Sequence, residues 1–190
     1  VSYDINEVLL MADVPATNTM PLMQGIISPC DITSIGAIVG TFSTPASASW
    51  PTQYLAIFVP IRVSVPVKTT SVWWYNGVNV NASYEIDVGI YSADFTKLGS
   101  IGLTAQGTAS VIQSVALATE FGPGLFYMAM THNSMKTFWR WNGITASCCA
   151  ITGMFQQPLS DPYSLPAVAT PATVGYAYIP VFGITARSFI

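Results

Sequence analysis

The chain has 190 residues, enough for one domain with a sizeable core, and charged residues make up only 8% of it, against about 25% in an average globular protein. A folded monomer of this size exposes roughly 9,000 Å², and so few charges cannot dress that area, so part of the surface is expected to be neutral and part buried against partners. A net charge of −3 with six scattered Lys and Arg argues against a nucleic-acid-binding surface, and no run of about 18–20 apolar residues exists to form a membrane-spanning helix.

Residues 1–50 differ from the rest. They hold Pro15, Pro21, Pro29 and Pro45, and apolar bursts such as Val8-Leu9-Leu10-Met11 and Gly25-Ile26-Ile27, none of which sustains a helical period. Proline blocks helix interiors and central strands, so this part reads as an extended N-terminal arm with one or two short strands, lying along its own domain or a neighbour. No basic region precedes an apolar block, so no signal peptide is expected.

From Trp50 onward the pattern turns to period two. Ile61, Val63, Val65 and Val67 alternate with Arg62, Ser64, Pro66 and Lys68, which predicts a half-buried strand, placed at an edge by Pro66. Tyr84, Ile86, Val88 and Ile90 alternate with Glu85, Asp87, Gly89 and Tyr91 and give the clearest strand. Strands over Leu98 to Ala105 and Val111 to Leu117 follow, separated by Gln106-Gly107-Thr108. Leu125 to Met130 is apolar on both faces, as a central strand covered on both sides would be. Phe138-Trp139-Arg140-Trp141 ends at the turn signal Asn142-Gly143, and Ile144 to Phe155 reads as a further strand. A Pro/Ser/Ala loop over Pro158 to Pro171 leads to a last strand, Val174 to Val181, with Tyr176 and Tyr178 on one face. No helix of three turns is predicted. About eight short strands spaced by Gly, Pro and Asn predict an all-β fold, a jelly-roll-like antiparallel β-sandwich over residues 51–190 behind the 1–50 arm.

Little in this chain resembles catalytic machinery. His132 is the one histidine, so a Ser-His-Asp or Cys-His arrangement would have to use it, but Thr131-His132-Asn133-Ser134 reads as an exposed turn. Glu85 and Asp87 stand two apart on a strand and share a face, where carboxylates serve glycoside hydrolysis or, with Asp94, hold a cation. Their plainer reading is the solvated face of a half-buried strand. Cys30, Cys148 and Cys149 are too few for a zinc site and read as buried or half-buried thiols, a vicinal disulfide between the last two being the alternative. The chain is therefore read as a non-enzyme that needs no cofactor or metal.

Trp73-Trp74-Tyr75 and Trp139-x-Trp141 are the aromatic clusters. Exposed aromatics stack on sugars, while buried ones anchor cores and interfaces. Trp73 and Trp74 must point to opposite faces of a strand. The interface candidates are Val8, Leu9, Leu10, Met11, Ile26, Ile27, Trp73, Trp74, Trp139 and Trp141.

Val88-Gly89-Ile90-Tyr91, then Asp94 and Lys97-Leu98, run on to Gly122-Pro123-Gly124-Leu125-Phe126-Tyr127-Met128-Ala129-Met130. The stretch, covering roughly residues 84–131, resembles accessory virion proteins of tailed bacteriophages, in which a strand ending Ile-Tyr is followed by an Asp turn, a Lys-Leu strand and a Pro-Gly-x-Tyr-Tyr-x-Ala strand. Phe126 stands where such proteins often carry Tyr. The resemblance implies a jelly-roll-like sandwich, usually trimeric, at the capsid or tail tip, and carries no catalytic residues across. The expectation is a capsid decoration, or cement, protein: a homotrimer on the virion surface, assembled in the host cytoplasm, that binds the major capsid protein. The alternative is a tail-fibre or receptor-binding module that grips host glycan or protein.

Overall fold

The computed structural model describes residues 24–27, 43–142, 145–160 and 162–188. Its strands form three antiparallel sheets. The first runs β1 (Gln24–Ile27), β15 (Phe182–Ser188), β4 (Val67–Tyr75), β8 (Ile112–Ala116), with β9 (Glu120–Phe121) also on β4. The second runs β13 (Ala172–Thr173), β12 (Phe155–Pro158), β3 (Leu55–Val63), β10 (Gly124–His132), β5 (Glu85–Ser92), β6 (Lys97–Ser100), with β7 (Thr104–Ala105) also on β5. A small third sheet orders β14 (Ile179–Pro180), β11 (Thr137–Asn142) and β2 (Ser43–Ser49). The fold is an all-β antiparallel sandwich, and neighbours in its sheets, such as β4 with β15 or β3 with β10, are far apart in sequence. The count of strands exceeds the eight expected because several have two to four residues, too few for an alternating pattern to register.

The main core lies between the first two sheets. Ile57, Val59 and Ile61 of β3, Ile86, Val88 and Ile90 of β5, and Met128 and Met130 of β10 face Val72 and Trp74 of β4 and Phe182 and Ile184 of β15. Each such side chain contributes about 1.5–3 kcal/mol by leaving water. The third sheet closes one end, where Trp50, Phe138 and Tyr178 meet edge to face and the Trp50 indole N–H donates to the Leu55 carbonyl at 3.0 Å.

The alternation over 61–68 is not one strand. β3 ends at Val63 in the second sheet and β4 starts at Val67 in the first. Pro66 has no N–H to continue a ladder, and the chain crosses between sheets at Ser64 to Pro66, leaving Val65 exposed. β4 then shifts phase: Val67 and Thr69 are buried, but so are Val72 and Trp74. A bulge accounts for this, because Ser71 pairs with Thr185 and Thr69 with Ala186, leaving Thr70 as the extra residue.

β10 is the two-faced central strand its sequence predicts, paired with β3 on one side and β5 on the other. Its outer face helps build a second, smaller core from Ala56, Phe58, Tyr91, Tyr127, Ala129 and Leu165, with Phe95, Phe155 and Leu159 against them. Residues 162–169 form a strap over this face. The Lys97 ammonium donates to the Leu165 carbonyl at 2.6 Å, the Tyr91 hydroxyl to the Pro166 carbonyl at 2.6 Å, and the Ala169 N–H to the Phe95 carbonyl at 2.9 Å.

Two further expectations are corrected. The strand expected over 144–155 is instead a short helix, α1 (Ala146–Ile151), followed by β12. Thr145 caps α1 by accepting from the Cys148 N–H at 3.2 Å, and Gly153, at φ +80°, ends it. The strand expected over 174–181 shrinks to β14, and the last strand is β15. The described parts of residues 1–50 are both strands of the chain's own sheets: β1 pairs with β15, Ile26 opposite Thr185 and Ile27 opposite Ile184, and β2 pairs with β11. Val8, Leu9, Leu10, Met11 and Cys30 lie outside the described residues, as does Gly143 of the expected turn.

Candidate interaction face

Past the Thr70 bulge, β4 alternates cleanly. Trp74 points into the main core, where its indole N–H donates to Asn76 Oδ1 at 3.0 Å. The Asn76 amide donates in turn to Gln113 Oε1 at 3.0 Å, and Gln113 Nε2 to the Ala105 carbonyl at 2.9 Å. This chain of bonds pins the end of β4 to β8. Trp73 and Tyr75 take the opposite face and are half-buried. Trp139 reaches the same face from β11 and stacks on Tyr75, ring centres 5.1 Å apart and planes at 19°.

The cross-strand partners complete the face. Ser71 stands opposite Ala116 and Thr185, Trp73 opposite Ser114 and Gly183, and Tyr75 opposite Ile112. None of these residues is charged. Ile112 is 57% exposed, and Val111 and Val78 extend the apolar edge beside it. The indole nitrogens of Trp73 and Trp139 are buried and have no hydrogen-bond partner among the described residues, so the exposed parts of these rings are carbon. A neutral, largely carbon face on a rigid sheet suits a dry protein contact, in which half-buried aromatics act as anchors.

Of the four tryptophan candidates, Trp73 and Trp139 are thus gathered around Tyr75. Trp74 belongs to the core, and Trp141 packs against that core from its rim. Sequence reasoning missed Ile112, because alternation over 111–117 does not say which face of an edge strand is covered.

The carboxylate pair is corrected in part. Glu85 and Asp87 share the outer face of β5, but that face is not solvated at Asp87, which is fully buried under the strap. Its Oδ2 accepts from the Leu165 N–H at 2.9 Å, while Oδ1 is buried without a close hydrogen-bond partner among the described residues. Desolvation raises its pKa above the ordinary carboxylate value, opposed by the Leu165 bond and by the nearby Lys97 charge. Glu85 accepts from the Tyr163 hydroxyl, which itself accepts from the Asn133 amide at 2.8 Å. Both carboxylates therefore hold the 162–169 strap in place. Asp94 accepts from the Ser92 hydroxyl and the Thr96 N–H within its own turn, and no group of three or more His, Cys, Asp and Glu comes together among the described residues.

His132 is also corrected. It is not an exposed turn residue but the buried last residue of β10. Nδ1 lies 2.7 Å from the Ser134 carbonyl, which can only accept, so Nδ1 carries the proton. Nε2 is then an unprotonated nitrogen, buried with no partner among the described residues, and the ring packs edge-on against Phe138 at 5.0 Å. Burial lowers its pKa to about 4, against the opposing pull of the Ser134 bond. Cys148 is exposed and Cys149 buried, both as free thiols, so the vicinal disulfide is not formed.

No protein-family model and no curated protein matches the chain.

Proposed function

We propose that this chain is a structural virion protein that decorates and stabilises a bacteriophage capsid, binding the major capsid shell as a homotrimer. The observation that carries the reading is the uncharged patch that Trp73 and Tyr75 of the first sheet and Trp139 of the third build together with Ser71, Ser114, Ala116, Gly183 and Thr185. Proteins that coat a shell associate through wide, neutral faces, and the depletion of charge at an interface core matches this one. The resemblance of residues 84–131 to accessory virion proteins supplies the setting. The chain acts by contact, without turning over a substrate.

A second reading, a receptor-binding module for host glycan, draws on the same aromatics. It is the weaker of the two, because Tyr75 and Trp139 spend one ring face on each other and the Trp73 and Trp139 N–H groups are turned away from any sugar hydroxyl.

The test uses capsids of the parent phage that lack this protein, mixed with the purified chain. Wild type is expected to bind the shell at regular lattice positions in electron-microscopy maps. Trp73→Ser and Trp139→Ser are each expected to weaken that binding about 30-fold, the loss of an anchor worth about 2 kcal/mol. Unchanged binding by both variants would sink the assignment of the face. Bare shells together with binding of the isolated chain to host cells would favour the receptor-binding reading.

A further inference from the structure

A second surface lies at the closed end of the sandwich, away from the aromatic face. A groove of about 370 Å³ is bounded by Ala48, Ser49, Pro51, Tyr176, Ala177 and Tyr178, with Arg140 among them. The walls are short and mostly apolar, and Tyr176, 39% exposed, forms a lip.

Arg140 is unusual for this chain. It is half-buried, and its side-chain hydrogen bond among the described residues runs from Nη1 to the Ala177 carbonyl at 2.8 Å. Its guanidinium carbon lies 5.6 Å from the centre of the Tyr178 ring. Nε is buried without a partner among the described residues. No carboxylate pairs with Arg140 among the described residues, where the ion pair formed is Lys68 with Glu120 at 2.8 Å. A guanidinium has five N–H donors in a planar fork. Among the described residues one carbonyl and one ring face engage the guanidinium, the other Nη hydrogens have no protein acceptor, and none of the groove residues is acidic.

A cation held between low-dielectric walls focuses its field outward. The edge it presents matches a carboxylate, which accepts two parallel N–H bonds from such a fork. Phosphate sites gather several cations or converging backbone N–H groups, and this groove offers one guanidinium. The small side chains at Ala48 and Ala177 leave room for a main chain to lie along the groove. We infer that the Arg140 groove is a docking site for an Asp or Glu side chain on an extended segment of a protein partner. It does not depend on the virion reading, because the isolated chain suffices to test it.

The full-length chain, labelled on arginine side chains, is titrated by NMR with acetyl-Ser-Glu-Ser-amide. The Arg140 signals are expected to shift along a saturating curve, and acetyl-Ser-Gln-Ser-amide to bind at least tenfold more weakly. Arg140→Met should abolish saturation. Because that variant also drops the Ala177 bond, Ser49→Asp serves as the second: it keeps Arg140 and supplies a carboxylate from the groove wall, and should weaken peptide binding at least tenfold while the chain stays folded. Absence of saturation with the Glu peptide overturns the inference, as does equal binding of the Glu and Gln peptides. Inorganic phosphate competing as well as the peptide would show a general anion site and overturn the carboxylate assignment.

Discussion

On acidification from pH 6.5 to about 4, the folded protein loses about 3 kcal/mol of stability through His132 alone. The folded pKa, about 4, lies below the ordinary 6.5, so in this window the unfolded chain binds a proton that the folded chain refuses. Above pH 6.5 the ring is neutral in both states and contributes nothing; below about 4 it is charged in both and the loss is complete. The cause is Nε2, the site the proton must take, which is buried with no acceptor. Asp87 works in the opposite sense. Its folded pKa is raised, so as pH falls through that value toward 3.8 the folded state takes up a proton first and gains stability, offsetting part of the histidine loss. His132→Phe keeps a ring against Phe138, gives up the Ser134 bond at a cost of about 1 kcal/mol at pH 7, and should flatten stability between pH 6.5 and 4. Asp87→Asn should steepen the acid loss by removing the offset. Urea unfolding midpoints at pH 7.5, 5.5 and 4 read all three proteins. A His132→Phe profile that falls with acid as steeply as wild type would show that another group governs the transition.

His132 and Asp87 also mark where sequence reading stopped. A polar residue on an alternating strand is read as solvated, and for β5 that reading fails at Asp87, which is buried on the outer face. Its inner face, Ile86, Val88 and Ile90, was legible because three apolar residues repeat at period two. The cover on its outer face is Leu165, whose N–H reaches Asp87 across 78 positions of sequence, and no local pattern announces a partner so distant. β10 escaped this problem because both of its faces are written in apolar residues, Met128 and Met130 inward, Tyr127 and Ala129 outward. β4 was obscured by its own bulge at Thr70, which moves the buried residues from odd to even positions and breaks the period a reader counts. The helix α1 had legible ends, Thr145 and Gly153, but its six residues are too few to show a helical period. At the interaction face, the opposition of Trp73 and Trp74 followed from strand geometry alone. The stacking of Trp139 on Tyr75 did not, because it depends on how the third sheet meets the first.

Leu165→Ala is expected to destabilise the protein by about 3 kcal/mol, and Gly89→Ala by about 1–3 kcal/mol. Leu165 is buried in the second core against Phe58, Tyr91 and Tyr127. Its hydrogen bonds to Asp87 and Lys97 use the backbone, so truncating the side chain leaves them in place and the loss measures packing. Gly89 is needed for a different reason. A Cβ there would stand 2.8 Å from the Gly99 carbonyl oxygen, 2.9 Å from Ser100 Cβ and 3.0 Å from Leu165 Cδ1. Two of these contacts come from β6 and cannot yield without disturbing its pairing with β5; the third comes from the strap. Shortening Leu165 relieves that third contact, so the double variant should lose about 1 kcal/mol less than the sum of the single losses. Strict additivity would mean that Leu165 does not press on Gly89. Hydrogen exchange separates the two effects by location. In Leu165→Ala the Leu165 and Ala169 amides should exchange sooner while β3 and β10 stay protected, because the strap is held on the second core whereas those strands are also held by the first. In Gly89→Ala the loss of protection should instead spread along β5 and β6, where the new methyl group forces the ladder apart.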